Sequence, residues 1–502
     1  MNTQEESKTF ANSNENVLIW ILCFAAALRV FVFSAAFPFF SNVDEHLHFD
    51  VITEYSHAGI PCSFDRLKQE SLDRIVLYAS PEFLFAPEQF PGGKFPAPLW
   101  KQSGPEAERE ITATKAAWSS EINFESSQPP LYYALATFWC WIGKQMGLVG
   151  IQSLYWVRFL NVPLIAIVVW MGYLTARMIA PERVDLRIGV PMLLAFIPQN
   201  VFYTINNDVL SPLCFGAVFL CVLQWLRAET ASVALGVITG VATAAAFLAK
   251  LSNLPLIAVA LGAIVVKLLQ IIRRTPRSGL AALAALVVCA AIPIGSWMVW
   301  TQCEFGDPTG STEKIALLGW TRKPFGDWWQ HPIFTPHGLW VFWSSLIASF
   351  WRGEVNWHSR PLSWGPADKF FAVSSFLLLA AAIVGLRKHA GLSGFQRQAI
   401  GVAILIFLAG IVFLALLSIQ FDFGGSTGPS RAHPYFTAGR LLTGALIPFA
   451  LLYVYGIASL FHWARSPISP VALVAGVVTL VVVSEMITNR VVFRSEHNWY
   501  HR

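Results

Sequence analysis

Charge is what this sequence has least of. Of 502 residues, 13% are Asp, Glu, Lys or Arg, about half the share of a soluble domain, whereas 55% are hydrophobic and the mean hydropathy is +0.53. That balance excludes a soluble globular fold and leaves a polytopic membrane protein. There is no Walker motif, no G-x-G-x-x-G followed by a Rossmann pattern and no H-E-x-x-H, which speaks against nucleotide-driven chemistry and a zincin. Cysteine is scarce and scattered. Five of the seven (Cys23, Cys140, Cys214, Cys221 and Cys289) fall in apolar runs, and no spacing matches a metal site. Cys62 and Cys303 fall in polar loops, where an oxidising compartment would permit a disulfide that the spacing does not single out. Internal repeats, low-complexity tracts and a domain-sized polar tail are also missing. The net charge of +5 follows the loops and forms no patch, which gives no footing for nucleic acid.

Long apolar runs are present instead, at 17–37, 156–178, 187–205, 209–227, 232–249, 254–272, 280–300, 370–386, 399–419, 440–460 and 468–487. Each approaches the length that crosses ~30 Å of hydrocarbon. Residues 1–16 form a polar tail, and the first run is too long for a signal peptide, so it reads as an uncleaved span. Two shorter aromatic segments, Pro129–Gly143 and Leu339–Trp351, fit helices lying in the membrane interface. With both left out of the count, Arg177, Arg183, Arg187, Arg227, Lys267, Arg273, Arg274, Arg277, Arg387, Lys388, Arg397 and Arg465 all fall in inner loops. Arg490, Arg494 and Arg502, in the tail 488–502, run against that order. The expected fold is therefore an all-α polytopic bundle of about eleven transmembrane helices over 17–487, with juxtamembrane helices and two long external loops, 38–128 and 301–369. The first loop is proline-rich, with one helix expected at Pro105–Trp118; the second is rich in tryptophan. Aromatic faces of this kind suit sugar rings, an isoprenoid chain or an interfacial belt.

The polar residues that interrupt this pattern gather on the outer side. Asn42-Val43-Asp44-Glu45-His46-Leu47-His48-Phe49-Asp50 follows directly on the first span. On a helix, Asp44 and His48 share a face, which would form an acid/base pair able to take a proton from a hydroxyl. The same residues would equally serve as a solvated polar cap. Gln128-Pro129-Pro130-Leu131-Tyr132-Tyr133 ends the first loop and fits the opening of a helix. In the turn Asn206-Asn207-Asp208, Asp208 would cap the following helix, a role compatible with catalysis or with orienting a phosphate. Lys250 ends a span on the outer side, where it would either bind phosphate or snorkel. A glycine-rich loop, Gly424–Tyr435, carries Arg431 and His433 and leads to Ala438-Gly439-Arg440-Leu441-Leu442. An arginine at an outer helix start opposes both the topology rule and the helix dipole, and an anion would relieve both costs.

Taken in order, the acidic pair, the Gln-Pro-Pro-Leu-Tyr-Tyr element, the Asn-Asp turn and the Gly-Arg-Leu-Leu helix start resemble the GT-C glycosyltransferases. The likeness is to the bacterial multi-span branch catalogued as uncharacterised membrane proteins, related to protein O-mannosyltransferases and lipid A aminoarabinose transferases, and it covers 17–487. The resemblance implies a polyprenyl-phosphate sugar donor and a glycan, lipid or protein acceptor of the cell envelope, at the outer face of a bacterial inner membrane. It makes Asp44 the catalytic carboxylate, with Glu45 and His48 beside it. Arg440, Lys250 and Arg431 would face the donor phosphate, and Gln128, Tyr132, Asn207, Asp208 and His433 would line the substrate. No cofactor is fixed, and a divalent metal stays open. The competing reading is a transporter or flippase of a lipid-linked substrate, which would place its charges near the membrane midplane. Metal-dependent hydrolysis through Asp44, His46 and His48 suffers from spacing, because residues two apart diverge on a helix.

Overall fold

The computed structural model describes residues 3–57, 59–388, 391–426, 428–464 and 469–498. Arg465, Arg502 and Thr427 of the sequence argument lie outside the described residues. The first helix, α1 (Thr3–Ala36), carries the opening apolar run and stops before Pro38, which cannot continue it. The first long loop is mostly irregular but holds α2 (Glu45–Ser56), α3 (Gln69–Tyr78) and α4 (Pro105–Trp118), the last with the expected boundaries. Next come α5 (Leu131–Gln145), α6 (Ile151–Phe159), α7 (Asn161–Ile179), α8 (Val184–Phe196), α9 (Ser211–Arg227), α10 (Val233–Ala249), α11 (Leu254–Arg274) and α12 (Pro276–Phe305). The second long loop contributes α13 (Ser311–Leu317) and α14 (Pro336–Arg352), and α15 (Gly365–Lys388), α16 (Gly394–Gln420), α17 (Leu446–Ala464) and α18 (Pro470–Phe493) complete the bundle. Among the described residues, extended structure amounts to two small antiparallel pairs, β1 (Thr321–Arg322) with β4 (Phe421–Asp422) and β2 (Asn356–Trp357) with β3 (Arg360–Pro361), and two isolated bridges, Phe39 with Ala79 and Arg66 with Ile122.

Among the described residues, nine segments are long and apolar enough to cross a membrane. Two of the expected spans fall short. The run 187–205 yields only the 13-residue α8, because Ile197 adopts an extended backbone before Pro198, as the proline ring requires. The run 232–249 yields the apolar 17-residue α10, about 25 Å long. The short aromatic helices α5 and α14 are not among the spanning segments.

Packing follows side-chain size where helices approach closely. A Cβ on Gly236 or Gly240 of α10 would lie 2.2 Å from the Ala282 carbonyl oxygen or 2.5 Å from that of Leu286, so the backbones of α10 and α12 meet directly. Helix α17 is the hub, with 94% of its apolar stretch buried against α15, α8 and α16. A buried ion pair ties the first span to the last. Arg29 Nη1 lies 3.1 Å from Glu485 and 3.0 Å from Tyr203 Oη, and its Nη2 donates to the Ile197 carbonyl at 2.9 Å. That carbonyl is one that the early end of α8 releases, so the arginine satisfies it inside the membrane. Cys62 and Cys303 are both exposed, free thiols.

Candidate active site

The two adjacent carboxylates after α1 face different surroundings. Asp44 takes a left-handed backbone (φ 57°, ψ 18°) at the start of α2, a conformation that costs a non-glycine residue energy and tends to persist at functional positions. This turn sends the two side chains apart. Glu45 is wholly buried: its carboxylate accepts from Arg158 Nε (2.7 Å) and Nη2 (2.9 Å) and from the backbone N–H groups of Ser41 (2.9 Å) and Ile205 (2.9 Å). Arg158 also donates to the carbonyls of Ser34, Phe37 and Pro38, which closes the C-terminal end of α1. Asp44 points into a second cluster, where its Oδ2 accepts from Arg440 Nη2 at 2.9 Å.

Arg440 stands at the centre of that cluster. Its Nε lies 3.5 Å from Glu354 and 3.9 Å from Asp208, and its backbone N–H donates to Glu354 Oε1 at 3.0 Å. Behind it, Asp208 sits 3.0 Å from Lys250 Nζ, which also donates to Asn207 Oδ1 at 2.5 Å. Asn207 Nδ2 in turn donates to Gln128 Oε1 at 3.2 Å. One continuous polar network therefore joins the ends of α1, α9, α10 and α17 to both long loops. Asp44, Arg440 and Glu354 are partly exposed, at 19, 20 and 23% of side-chain surface, as is Gln128, whereas Asp208 is fully buried. Three carboxylates confront two cations. Burial, opposed by Arg440, holds the Glu354 carboxyl above its usual range.

Several expectations take a different form. The N–H groups at the start of the Arg440 turn are not open to an anion, since Gly439 N–H donates to Ser349 Oγ and Arg440 N–H to Glu354. Asp208 does not cap α9; Asn206 caps the short turn Asn207–Leu210 by accepting from the Asp208 N–H at 2.8 Å. Lys250 is buried and paired, and so does not snorkel. His48 does not bond Asp44 through its side chain: Nδ1 meets Tyr133 Oη at 2.8 Å. Burial, aided by Lys250, keeps the His48 ring neutral well below the usual histidine range, and its Nε2 is buried without a hydrogen-bond partner among the described residues. His46 leaves in another direction, to Glu121 at 3.0 Å. Among the described residues no group of three or more His, Cys, Asp or Glu side chains is placed to hold a metal ion.

Tyr132 is fully buried beneath the network. Arg431 and His433 are not brought to it; Arg431, 71% exposed, pairs with Asp422, and His433 packs on Tyr435. Sequence reasoning missed four functional candidates: Glu354, Arg158, and the pair Glu125–Lys314, joined at 2.8 Å. Burial pushes the Glu125 carboxyl up, but Lys314, with Lys250 and Arg440, outweighs it and leaves the group below the usual range. Arg158 carried a signal, a cation within an apolar run, whereas Glu354 carried none that is local.

A family model described as a predicted membrane protein (DUF2142) matches residues 28–428. The chain belongs to the DUF2142 family. No curated protein matches this DUF2142 member. Among solved structures, the apo oligosaccharyltransferase of Archaeoglobus fulgidus aligns at 11% identity and a TM-score of 0.41, over 95% of this chain and 56% of its own, so the present chain spans about half of it. The same protein in complex with Zn and sulfate aligns at 12% identity and a TM-score of 0.36, over 74% of this chain and 45% of its own. ArnT from Cupriavidus metallidurans bound to undecaprenyl phosphate aligns at 13% identity and a TM-score of 0.40, over 96% of this chain and 74% of its own.

Proposed function

We propose that this DUF2142 member is a GT-C-type glycosyltransferase. It moves a sugar from a polyprenyl phosphate to an acceptor of the cell envelope, at the outer face of a bacterial inner membrane. One observation carries the reading: the carboxylate of Asp44, in a strained turn where the first span ends, has a single partner among the described residues, Arg440, while its neighbour Glu45 is saturated by four donors. A carboxylate left partly exposed beside a guanidinium suits proton transfer, which a saturated one does not.

In the transfer, the acceptor oxygen bonds to the anomeric carbon as the carbon–oxygen bond to phosphate breaks, with inversion. Asp44 receives the acceptor's proton. The phosphate leaves with the bonding electrons, and Arg440, backed by Lys250, stabilises its charge. Glu354 holds Arg440 by its backbone and its Nε, and Asn207 and Gln128 extend the polar wall toward the acceptor. Glu45 and Arg158 fix the turn that aims Asp44, and His48 orders the Tyr133 side of α2.

Transport is disfavoured by the position of the charges. The network lies at span ends, and the ion pair deep within the spans, Arg29–Glu485, is closed on itself and on Tyr203. The test is to add the purified protein, in bilayers, to a panel of polyprenyl-phosphate sugars together with cell-envelope fractions. Loss of the sugar from one donor with release of polyprenyl phosphate is expected. Movement of a donor across the bilayer with its sugar intact would favour the transport reading and contradict this one.

A further inference from the structure

The glycine-rich loop that the network leaves aside helps to enclose a cavity of about 470 Å³, within the size range of small-molecule sites. None of the residues around Asp44 lines it. One wall is the β1–β4 ribbon, where Thr321 faces Asp422 and Arg322 faces Phe421. The second wall is the turn Phe325–Gln330 with His331, and the third is the segment from Arg431 to Pro434. His331 locks the second wall to the third: its Nδ1 accepts from the Ile333 N–H at 3.1 Å, so Nε2 carries the proton donated to the Pro434 carbonyl at 3.0 Å. Burial holds this ring neutral, and it adds no charge to the cavity.

The charge that remains is mostly positive. Arg431 Nε is spent on Asp422 at 3.0 Å, which leaves the two Nη groups of its fork. The side chains of Arg322 and Lys323 have no hydrogen bond or ion pair among the described residues, and the same holds for Asp327 and Gln330 on the facing wall. Unused cationic donors on one side and unused neutral and acidic hydrogen-bonding groups on the other match a ligand that carries both an anion and hydroxyls. The apolar parts of the lining, Phe421, Phe423 and the prolines, offer faces to the C–H side of a ring. We propose that this cavity binds an anionic sugar, with its carboxylate or phosphate held by Arg322 and Lys323 and its hydroxyls by Gln330 and Asp327. The inference rests on the cavity and its side chains and does not depend on the transferase reading.

The test is ligand-observed saturation-transfer NMR on the whole protein in micelles. The probes are D-glucuronate and D-glucose 6-phosphate, with D-glucose as the neutral sugar; inorganic phosphate, the anion alone, carries no carbon-bound proton and is read by its displacement of the anionic sugars. Two charge-assisted contacts correspond to a dissociation constant on the order of millimolar for at least one anionic sugar. Glucose and inorganic phosphate should each bind roughly tenfold more weakly, and the double variant Arg322→Ala/Lys323→Ala should lose about tenfold for the anionic sugars. A response to glucuronate but not to the sugar phosphate, or the reverse, identifies the anion within the proposed class. Failure of both anionic sugars to saturate, equal binding of glucose or phosphate, or a double variant that binds like the wild type overturns the proposal. The assay reads binding without transfer, so its failure leaves the role of Asp44 standing, and an inactive Asp44 site would leave this cavity standing.

Discussion

The surroundings of Glu45 and those of Asp44 differ in how much bonding capacity is left over. Around Glu45 the charged groups are fully used: the carboxylate takes four hydrogen bonds, and Arg158 spends its remaining donors on carbonyls and stacks 4.1 Å over Phe39, although the neighbouring Ser41 hydroxyl has no hydrogen bond among the described residues. Around Arg440, among the described residues, the Asp44 carboxylate has one partner, both Asp208 oxygens lack a hydrogen bond of good geometry despite Lys250 at 3.0 Å, and Arg440 Nε is likewise without one. Buried polar groups are normally satisfied, so a region that leaves several short of partners is one prepared for something else to enter. Two residues adjacent in sequence thus separate into a joint that holds the fold and a group with bonding capacity left over, the capacity that the proposed transfer uses.

Breaking the joint should have the largest effect. Glu45→Ala or Arg158→Ala leaves its partner as an uncompensated buried charge, at a cost of about 3–5 kcal/mol. Both variants should lose most folded protein on detergent extraction, as read by size-exclusion yield and thermal unfolding. Glu45→Met/Arg158→Met, which removes both charges, should lose less than the sum of the single changes. Additive losses would mean that the pair is not the unit described here.

Next in size is Arg440, on the unsatisfied side of the comparison. Arg440→Ala should lower turnover by roughly 10²–10³-fold, the scale of removing one donor to a developing anion. Arg440→Lys should fall between, since it keeps the charge without the fork. Apparent donor affinity should change more than acceptor affinity when the two are titrated separately. A change confined to the acceptor would take the phosphate away from Arg440.

His48 sharpens the boundary between the two regions. Burial depresses its folded pKa, and Lys250, Arg440 and Lys314 add to that while Asp44 opposes it. A depressed pKa means that the unfolded state binds the proton more readily. Stability is then full above the unfolded value of about 6.5 and is lost as pH falls below it. His48→Gln should flatten the drop in unfolding temperature between about pH 7.5 and about pH 5.5. An unchanged drop would assign the acid sensitivity elsewhere. The smallest intervention leaves the site alone. Cys62 and Cys303 should react with an impermeant thiol reagent from outside, whereas Ser393→Cys, in a chain with both replaced by serine, should not. Labelling at 393 would reverse the orientation argued from the loop charges.

Much of the fold was legible because a membrane tolerates few alternatives to an apolar helix. The runs gave the spans, and the prolines gave the start of α4. The early end of α8 was written in Pro198 but outweighed by the apolar residues beyond it. The site was legible in part. Asp44, Lys250, Asp208 and Arg440 each stood out as a charge at a span end, although nothing local pairs residues 396 positions apart such as Asp44 and Arg440. The contrast between Asp44 and Glu45 was not legible at all, because it depends on one left-handed residue and on an arginine 113 positions along the chain, Arg158. Glu354 escaped for a similar reason: its task is to receive a backbone N–H 86 residues along the chain.

The most direct measurement compares Asp44→Asn with Glu45→Gln, reading folded yield and consumption of polyprenyl-phosphate sugar at equal amounts of folded protein. Asp44→Asn should fold and insert as the wild type does and lose about 10²–10⁴-fold in turnover, the contribution of a general base. Glu45→Gln should lose folded protein, while the fraction that folds keeps turning over. Wild-type turnover by Asp44→Asn, or loss of turnover by well-folded Glu45→Gln, would contradict the assignment of Asp44 as the base and Glu45 as the joint.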